Sequence, residues 1–450
     1  MRHALIATAV LFLALSAPPA ARAQGEADAR LERAAALISG DRLQEAEQQL
    51  NSILKARPED ALALNLLGTV RAKQGRLDEA EALFSRALRV DREFVGAHMN
   101  LAYLYLLKGA PEKTVAELRE VHRLVPDDAD TTYKLAHLLL TLGRLDECVA
   151  IAAEARRSNR ATPDLLTVLG DAYLKKGDAG KAEESYRAAL DARGEDAGAL
   201  LGLALVSQSK GDAQSASLYL ARARGLVADS PELLYRFALA ALRSEQFDDA
   251  RSALERAVGL KPDEPSYLVA LGAVWLKKPD MFEAERQFRR ALQLRPDDPQ
   301  AQMYLGYALL KQKKYPEARG WLEKSAQKES GVPETFYYLG LIAQEQNEDG
   351  RALELFAKAV RLAPSFASAH IALGSTYLKL KDYARAKAEL EAGVRLKPDD
   401  SKAHYNLARL YALLKDQQRA QEEMAIVERL KNSGKAQSQE GDIGVPSSPR

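Results

Sequence analysis

The sequence predicts an all-α protein built from about a dozen stacked helix–turn–helix units, and three observations lead there. Ala, Leu, Arg and Glu dominate, with only 27 Gly and 18 Pro in 450 residues, which is a helical composition. A period of 34 residues runs along the chain without an insertion. Two columns of that period, positions 8 and 20, hold only small residues, one per expected helix.

The N-terminus comes first. Arg2 and His3 precede an apolar run from Ala4 to Ala17, followed by Pro18, Pro19 and Ala21-Arg22-Ala23 ahead of Gln24. A short charged start, a short apolar stretch and an A-x-A site form the pattern of a cleavable secretory signal peptide over 1–23. A membrane anchor is the alternative, but about 14 apolar residues fall short of the ~20 that span a bilayer. The expectation is export, to the periplasm or the medium. Losing Arg2 and Arg22 and no acid takes the 64 basic and 63 acidic residues to 62 and 63. That balance gives no electrostatic reason to expect nucleic acid or an anionic membrane as partner.

The repeat follows. With position 1 at Ala61, units begin at 27, 61, 95, 129, 163, 197, 231, 265, 299, 333, 367 and 401, twelve in all, covering 27–434. In helix A, position 7 is large and apolar (Leu67, Leu101, Phe237, Leu305) and position 8 is small (Gly68, Ala102, Ala238, Gly306). A glycine inside a helix costs about 1 kcal/mol relative to Ala, so its recurrence predicts a helix backbone passing close by. Gly75, Gly109, Gly143, Gly177 and Gly211 hold position 15, where a turn separates the two helices. Later units place polar residues or Pro279 there. In helix B, position 20 is small (Ala80, Cys148, Ala352) and position 24 is large (Phe84, Tyr186, Phe288, Phe356). Pro58, Pro126, Pro262, Pro296, Pro364 and Pro398 close helix B at position 32, often with an acid after them for the next helix start. Beyond the repeats, 435–450 is polar and reads as a disordered tail.

Stretches such as LGTVRAKQGRLDEAEALFSRALRV (67–90), LGDAYLKKGDAGKAEESYRAAL (169–190) and LGSTYLKLKDYARAKAELEAGVRLKPDD (373–400) resemble the tetratricopeptide repeat family. The resemblance extends over most of the chain and implies a right-handed superhelix, an α-solenoid, with helix A lining the concave face. Positions 2, 5, 9, 12 and 13 then face the groove, since residues three or four apart share a helix face. Positions 5, 6 and 9 supply Tyr103, Tyr133, His137, Tyr235, Tyr304, Tyr307, Tyr337, Tyr338 and Tyr405, joined by Asn406 and Arg409. Tyrosine combines a large apolar area with one hydrogen-bonding tip, which suits contact with a protein or peptide. The other reading is that these rings pack between neighbouring A helices. The clamp with which some family members grip acidic chaperone tails needs Lys at position 5 and Asn at position 9, and neither is present.

The remaining chemistry is sparse. The single Cys148 stands where most units carry Ala, which reads as a buried small residue. His98, His370 and His404 share position 4 of helix A, a packing column, and no metal, phosphate-loop or nucleophile motif occurs. The sequence therefore points to a non-catalytic, cofactor-free scaffold for other proteins or peptides. A subunit of an envelope machine, for polysaccharide export or outer-membrane assembly, is the alternative. The last unit has no polar capping helix, and its apolar Met424, Ile426, Val427 and Leu430 predict self-association or a covering partner.

Overall fold

The computed structural model describes residues 24–227, 230–327 and 332–432. The proposed signal peptide and tail lie outside the described residues. Among the described residues there are 24 helices and no strand. After α1 (Gln24–Ser39), the A helices begin at Ala61, Val95, Ala129, Pro163, Ala197, Pro231, Pro265, Pro299, Pro333, Ala367 and Ser401.

The chain forms two compact units, one ending at Asp212 and the other beginning at Ala213. The line falls inside the sixth repeat, between α11 (Ala197–Ser209) and α12 (Ala213–Ala223). The first unit stacks the hairpins from α1 to α11, and the second those from α12 to α24 (Gln417–Asn432).

Local chemistry sets each boundary. At position 34, Asp60, Thr162, Asp196, Ser230 and Asp298 accept a hydrogen bond from the backbone N–H three residues on. Such a cap is worth about 1 kcal/mol. Position 15 is left-handed in every repeat. The glycines have φ from 67° to 81°, and Asp41, Glu245, Lys313, Asn347, Lys381 and Lys415 have φ from 58° to 63° there, with Pro279 at 21°. The turn is therefore imposed by the hairpin and not by glycine alone.

The core follows from one fit inside each repeat. A Cβ added to Gly68, Gly170 or Gly272 would stand 2.5 Å from the ring of Phe84, Tyr186 or Phe288 at position 24. Gly340 stands in the same way against Phe356. The expectation of a close helix backbone is thereby corrected: the small residue at position 8 chiefly makes room for a side chain. Every aromatic at position 24 faces glycine, whereas units with Ala at position 8 carry Leu50, Leu118, Ala152, Leu220, Leu254 or Met424. Phe84, Tyr186, Phe288 and Phe356 are fully buried or nearly so. Burial of such a ring contributes roughly 1.5–3 kcal/mol.

Neighbouring repeats are tied by polar links about 30 residues apart in sequence. Lys108 reaches Asp78 at 2.7 Å, Lys278 reaches Asp248 at 2.5 Å and Lys379 reaches Asp349 at 2.7 Å. These pairs are largely exposed, so each adds at most about 1 kcal/mol.

Candidate partner-binding surface

The A helices bring the sequence-predicted residues to one side of each hairpin, but at different depths. In the first unit, α5 (Val95–Leu107) carries Tyr103 and α7 (Ala129–Thr141) carries Tyr133 and His137. Tyr103 and Tyr133 are half-buried and His137 is exposed. The Tyr133 and His137 rings stack with centroids 5.7 Å apart and planes inclined by 18°. Lys134 donates to the Tyr103 hydroxyl at 2.7 Å and pairs with Asp130 at 2.5 Å. Beside this group, Asn100 donates to Asn65 Oδ1 at 2.9 Å, linking the A helices of two repeats. Thr69, Ala72, Asn100, Tyr103, Leu104 and Leu107 line a small cleft there.

In the second unit most of the predicted tyrosines are core residues. Tyr235, Tyr304, Tyr307 and Tyr338 are only 5%, 2%, 4% and 3% exposed. Tyr307 packs on Tyr338 at 4.7 Å, and Tyr304 stacks on Phe288 at 5.4 Å. Tyr337 is half-buried against Phe356 and Phe366. Rings so enclosed offer no face to a partner, so Tyr235, Tyr304, Tyr307 and Tyr338 leave the proposed contact surface. Tyr235 and Tyr307 pack against the next A helix, at Tyr267 and Tyr338, which is the packing alternative, while Tyr304 packs on a B helix. Desolvation raises the pKa of each of Tyr304, Tyr337 and Tyr338.

The last repeat differs. Tyr405 is 47% exposed, and the Arg409 guanidinium lies 5.9 Å from its ring centre. Asn406 is buried, and its Nδ2 finds no hydrogen-bond partner among the described residues. In α24, Val427 is buried, Ile426 and Leu430 are half-buried and Met424 stays exposed.

The histidines at position 4 do more than pack, and the sequence reading missed this. His98 Nδ1 lies 2.6 Å from Glu117 Oε2, and its Nε2 lies 3.0 Å from the Arg92 carbonyl. His370 meets Glu389 and the Pro364 carbonyl at 2.7 and 3.1 Å, and His404 meets Glu423 and the Pro398 carbonyl at 2.5 and 2.9 Å. Each ring thus ties helix A to its own helix B and to the turn from the preceding repeat. Gln302, at the same position, donates to the Pro296 carbonyl at 2.7 Å. The signal was present in the sequence as a glutamate 19 residues after each of the three histidines.

Cys148 is buried, and desolvation pushes its thiol up to about 12. A thiol held protonated is a packing group and a poor nucleophile. Among the described residues, no helix is long and apolar enough to cross a membrane, and no group of three His, Cys, Asp or Glu could hold a metal ion.

Sequence profiles described as tetratricopeptide repeat match residues 31–94, 65–129, 133–197, 167–231, 235–299, 282–333 and 341–410. The chain belongs to the tetratricopeptide repeat family. Its helices are those of an α-solenoid of this family, a fold that serves protein–protein interaction. Over 212 residues it is 27% identical to a cellulose synthase operon protein C of Xanthomonas axonopodis pv. citri (strain 306). That match takes in 47% of this chain and 12% of the relative, so the chain spans a small part of the relative's length. The fold resembles that of the Cut9–Hcn1 hetero-tetramer of the APC/C, at 17% identity and a TM-score of 0.50, over 85% of this chain and 83% of that one. A human IFIT1 dimer with PPP-AAAA is similar at 15% identity and a TM-score of 0.50, over 82% of this chain and 90% of that one.

Proposed function

We propose that the chain is a non-catalytic adaptor of the periplasm or the medium that holds segments of partner proteins on its A-helix faces. The observation that carries this reading is the accessible Tyr103–Tyr133–His137 group on two successive A helices, beside the Asn65–Asn100 link. Stacked rings with polar tips and a neighbouring lysine give apolar area and directional bonds at low entropic cost. Tyr405 and Arg409 form a second surface on the last repeat, next to the buried Asn406. The test is crosslinking in the native envelope with the double variant Tyr103→Ala, Tyr133→Ala. Partner capture should fall while helical circular dichroism stays native, and undiminished capture would sink the assignment of this surface. Export is tested by whether the mature chain starts at Gln24.

A second reading places the chain in an envelope machine for polysaccharide export. Its support is the 27% identity to a cellulose synthase operon protein. Crosslinked partners belonging to a polysaccharide synthase or a porin would favour it. The exposed Leu413, Leu414 and Met424 of the last repeat also support self-association there. Light scattering that shows a monomer, unaltered by Leu413→Glu, would count against self-association.

A further inference from the structure

The three most exposed large apolar side chains among the described residues are Phe282 at 73%, Leu218 at 60% and Leu260 at 55%. They stand on the B helices of three successive repeats of the second unit: Leu218 on α12 (Ala213–Ala223), Leu260 on α14 (Phe247–Leu260) and Phe282 on α16 (Met281–Leu294). In the repeat frame they hold positions 22, 30 and 18. Positions 18, 22, 26 and 30 follow one another at about one-turn intervals. They avoid the buried positions 20, 24 and 27, which are Ala284, Phe288 and Ala291 in α16. Position 26 is Arg222, Arg256 and Arg290, all exposed. Leu226 and Leu294 add exposed apolar area at position 30.

Exposed leucine at position 30 recurs elsewhere, as Leu362 and Leu396, so the charge around these side chains decides whether more is involved. At positions 18, 22, 26, 29 and 30 the sixth, seventh and eighth repeats carry four cations and one acid, Asp248, which takes Lys278 at 2.5 Å. The same positions of the third, fourth and fifth repeats carry two cations and six acids. The near balance of the whole chain hides this local excess. Acids flanking the face are engaged within the protein: Glu283 lies 2.6 Å from Arg286, Glu255 lies 3.7 Å from Arg251, and Asp249 pairs with Arg224. Asp263 and Asp297 are exposed, but in the turns after α14 and α16.

We propose that this B-helix face adsorbs to an anionic lipid surface, with Phe282, Leu218 and Leu260 entering the headgroup boundary and Arg222, Arg256 and Arg290 meeting lipid phosphates. Apolar side chains interleaved with cations are what an interfacial element presents to a bilayer, and each cation near an anionic leaflet adds to the attraction. The spacing selects the occupant. The three apolar side chains differ in height along their helices by about 6 to 18 Å, at 1.5 Å per residue, with arginines between them. A folded partner would have to match that relief, whereas the fluid boundary of a bilayer takes in scattered apolar groups at any spacing. The contact of Arg290 with the Gln287 amide oxygen, at 3.3 Å, does not withhold it, since one hydrogen bond at the surface adds little net stability. The face belongs to helix B, so the inference goes beyond the partner-binding reading of the A helices and does not depend on it.

The test is co-sedimentation with vesicles of phosphatidylcholine alone or of phosphatidylcholine with phosphatidylglycerol. It uses the chain from Gln24 onward, which keeps every described helix and omits the apolar run Ala4–Ala17. Binding is expected to the anionic vesicles only, and it should weaken as salt is raised. The triple variant Arg222→Gln, Arg256→Gln, Arg290→Gln should bind at least about tenfold more weakly. Leu218→Ser, Leu260→Ser, Phe282→Ser should also lose binding, and both triple variants should keep the native circular dichroism. No binding to anionic vesicles overturns the proposal, and so does undiminished binding by the arginine variant. Loss in the arginine variant alone, with the serine variant binding like the wild type, would identify a soluble polyanion or an acidic protein instead and overturns it too. An equal loss in Arg123→Gln, Arg157→Gln, on the first unit, overturns the choice of face. If a triple variant did not fold, Phe282→Ser alone, at the most exposed of these side chains, decides in its place.

Discussion

His98 stands between two oxygens, with Nδ1 2.6 Å from Glu117 Oε2 and Nε2 3.0 Å from the Arg92 carbonyl. A carbonyl and an ionised carboxylate can only accept, so this setting favours the doubly protonated imidazolium. The hydrogen bond to Glu117 is the main reason its pKa is raised, against the opposing effect of burial. A raised folded-state pKa makes this contribution complete below the ordinary histidine value near 6.5 and loses it as pH rises through the folded value. Thermal melts between about pH 6 and pH 9 should show a falling Tm that flattens in His98→Gln. Glutamine keeps the bond to the carbonyl, as Gln302 does. His98→Ala should cost about 1–3 kcal/mol. A wild-type melt independent of pH over that range would remove the assignment.

The glycine–aromatic fit predicts a sign. Gly340→Ala gains about 1 kcal/mol of helix propensity but drives a methyl into Phe356. Overpacking of a filled core costs about 1–3 kcal/mol. Denaturant unfolding should show net destabilisation, partly recovered in Gly340→Ala, Phe356→Leu. That double variant recreates the Ala238 and Leu254 combination of another repeat. A single variant more stable than the wild type would show that Phe356 can move aside.

Position 15 offers a test of backbone cost alone. Nothing lies within 4 Å of a Cβ placed on Gly177, whose φ is 81°. Gly177→Ala should therefore destabilise by about 1–2 kcal/mol through its left-handed backbone. Lys381, at φ 63°, carries the same strain already. Lys381→Gly is expected to stabilise by up to about 1 kcal/mol, less the flexibility glycine adds to the unfolded chain. Chemical denaturation that gives both changes the same sign would contradict this account.

Cys148 should not react with a thiol reagent while the protein is folded, because its thiol is buried and held up at about 12. Labelling should follow unfolding and rise with denaturant. Fast labelling of the native chain at neutral pH would show that the hairpin around Cys148 opens.

The repeat, its two helices and its turn were legible because each depends on residues within about 34 positions, and the small and large columns record that fit directly. Position 15 was only half legible: glycine marks it in five repeats, but Lys313 or Asn347 adopts the same backbone without a sequence signal. The depth of the tyrosines was not legible. Position 5 is exposed as Tyr405 in the last repeat and buried as Tyr235, because the following repeat covers the earlier ring, as Tyr267 does at 5.0 Å. Helical periodicity assigns a face but not what the next hairpin lays on it. The histidine ties were missed for a related reason. A buried histidine with two polar partners occupies the same column as leucine.

The complementarity between positions 8 and 24 is settled inside one repeat, for Gly68 with Phe84 as for Gly340 with Phe356. A duplicated or deleted stretch of one period therefore carries its own matched pair with it. Such an array can change length in whole-unit steps over evolution without a compensating change in its core, while the links that span a junction would have to be remade.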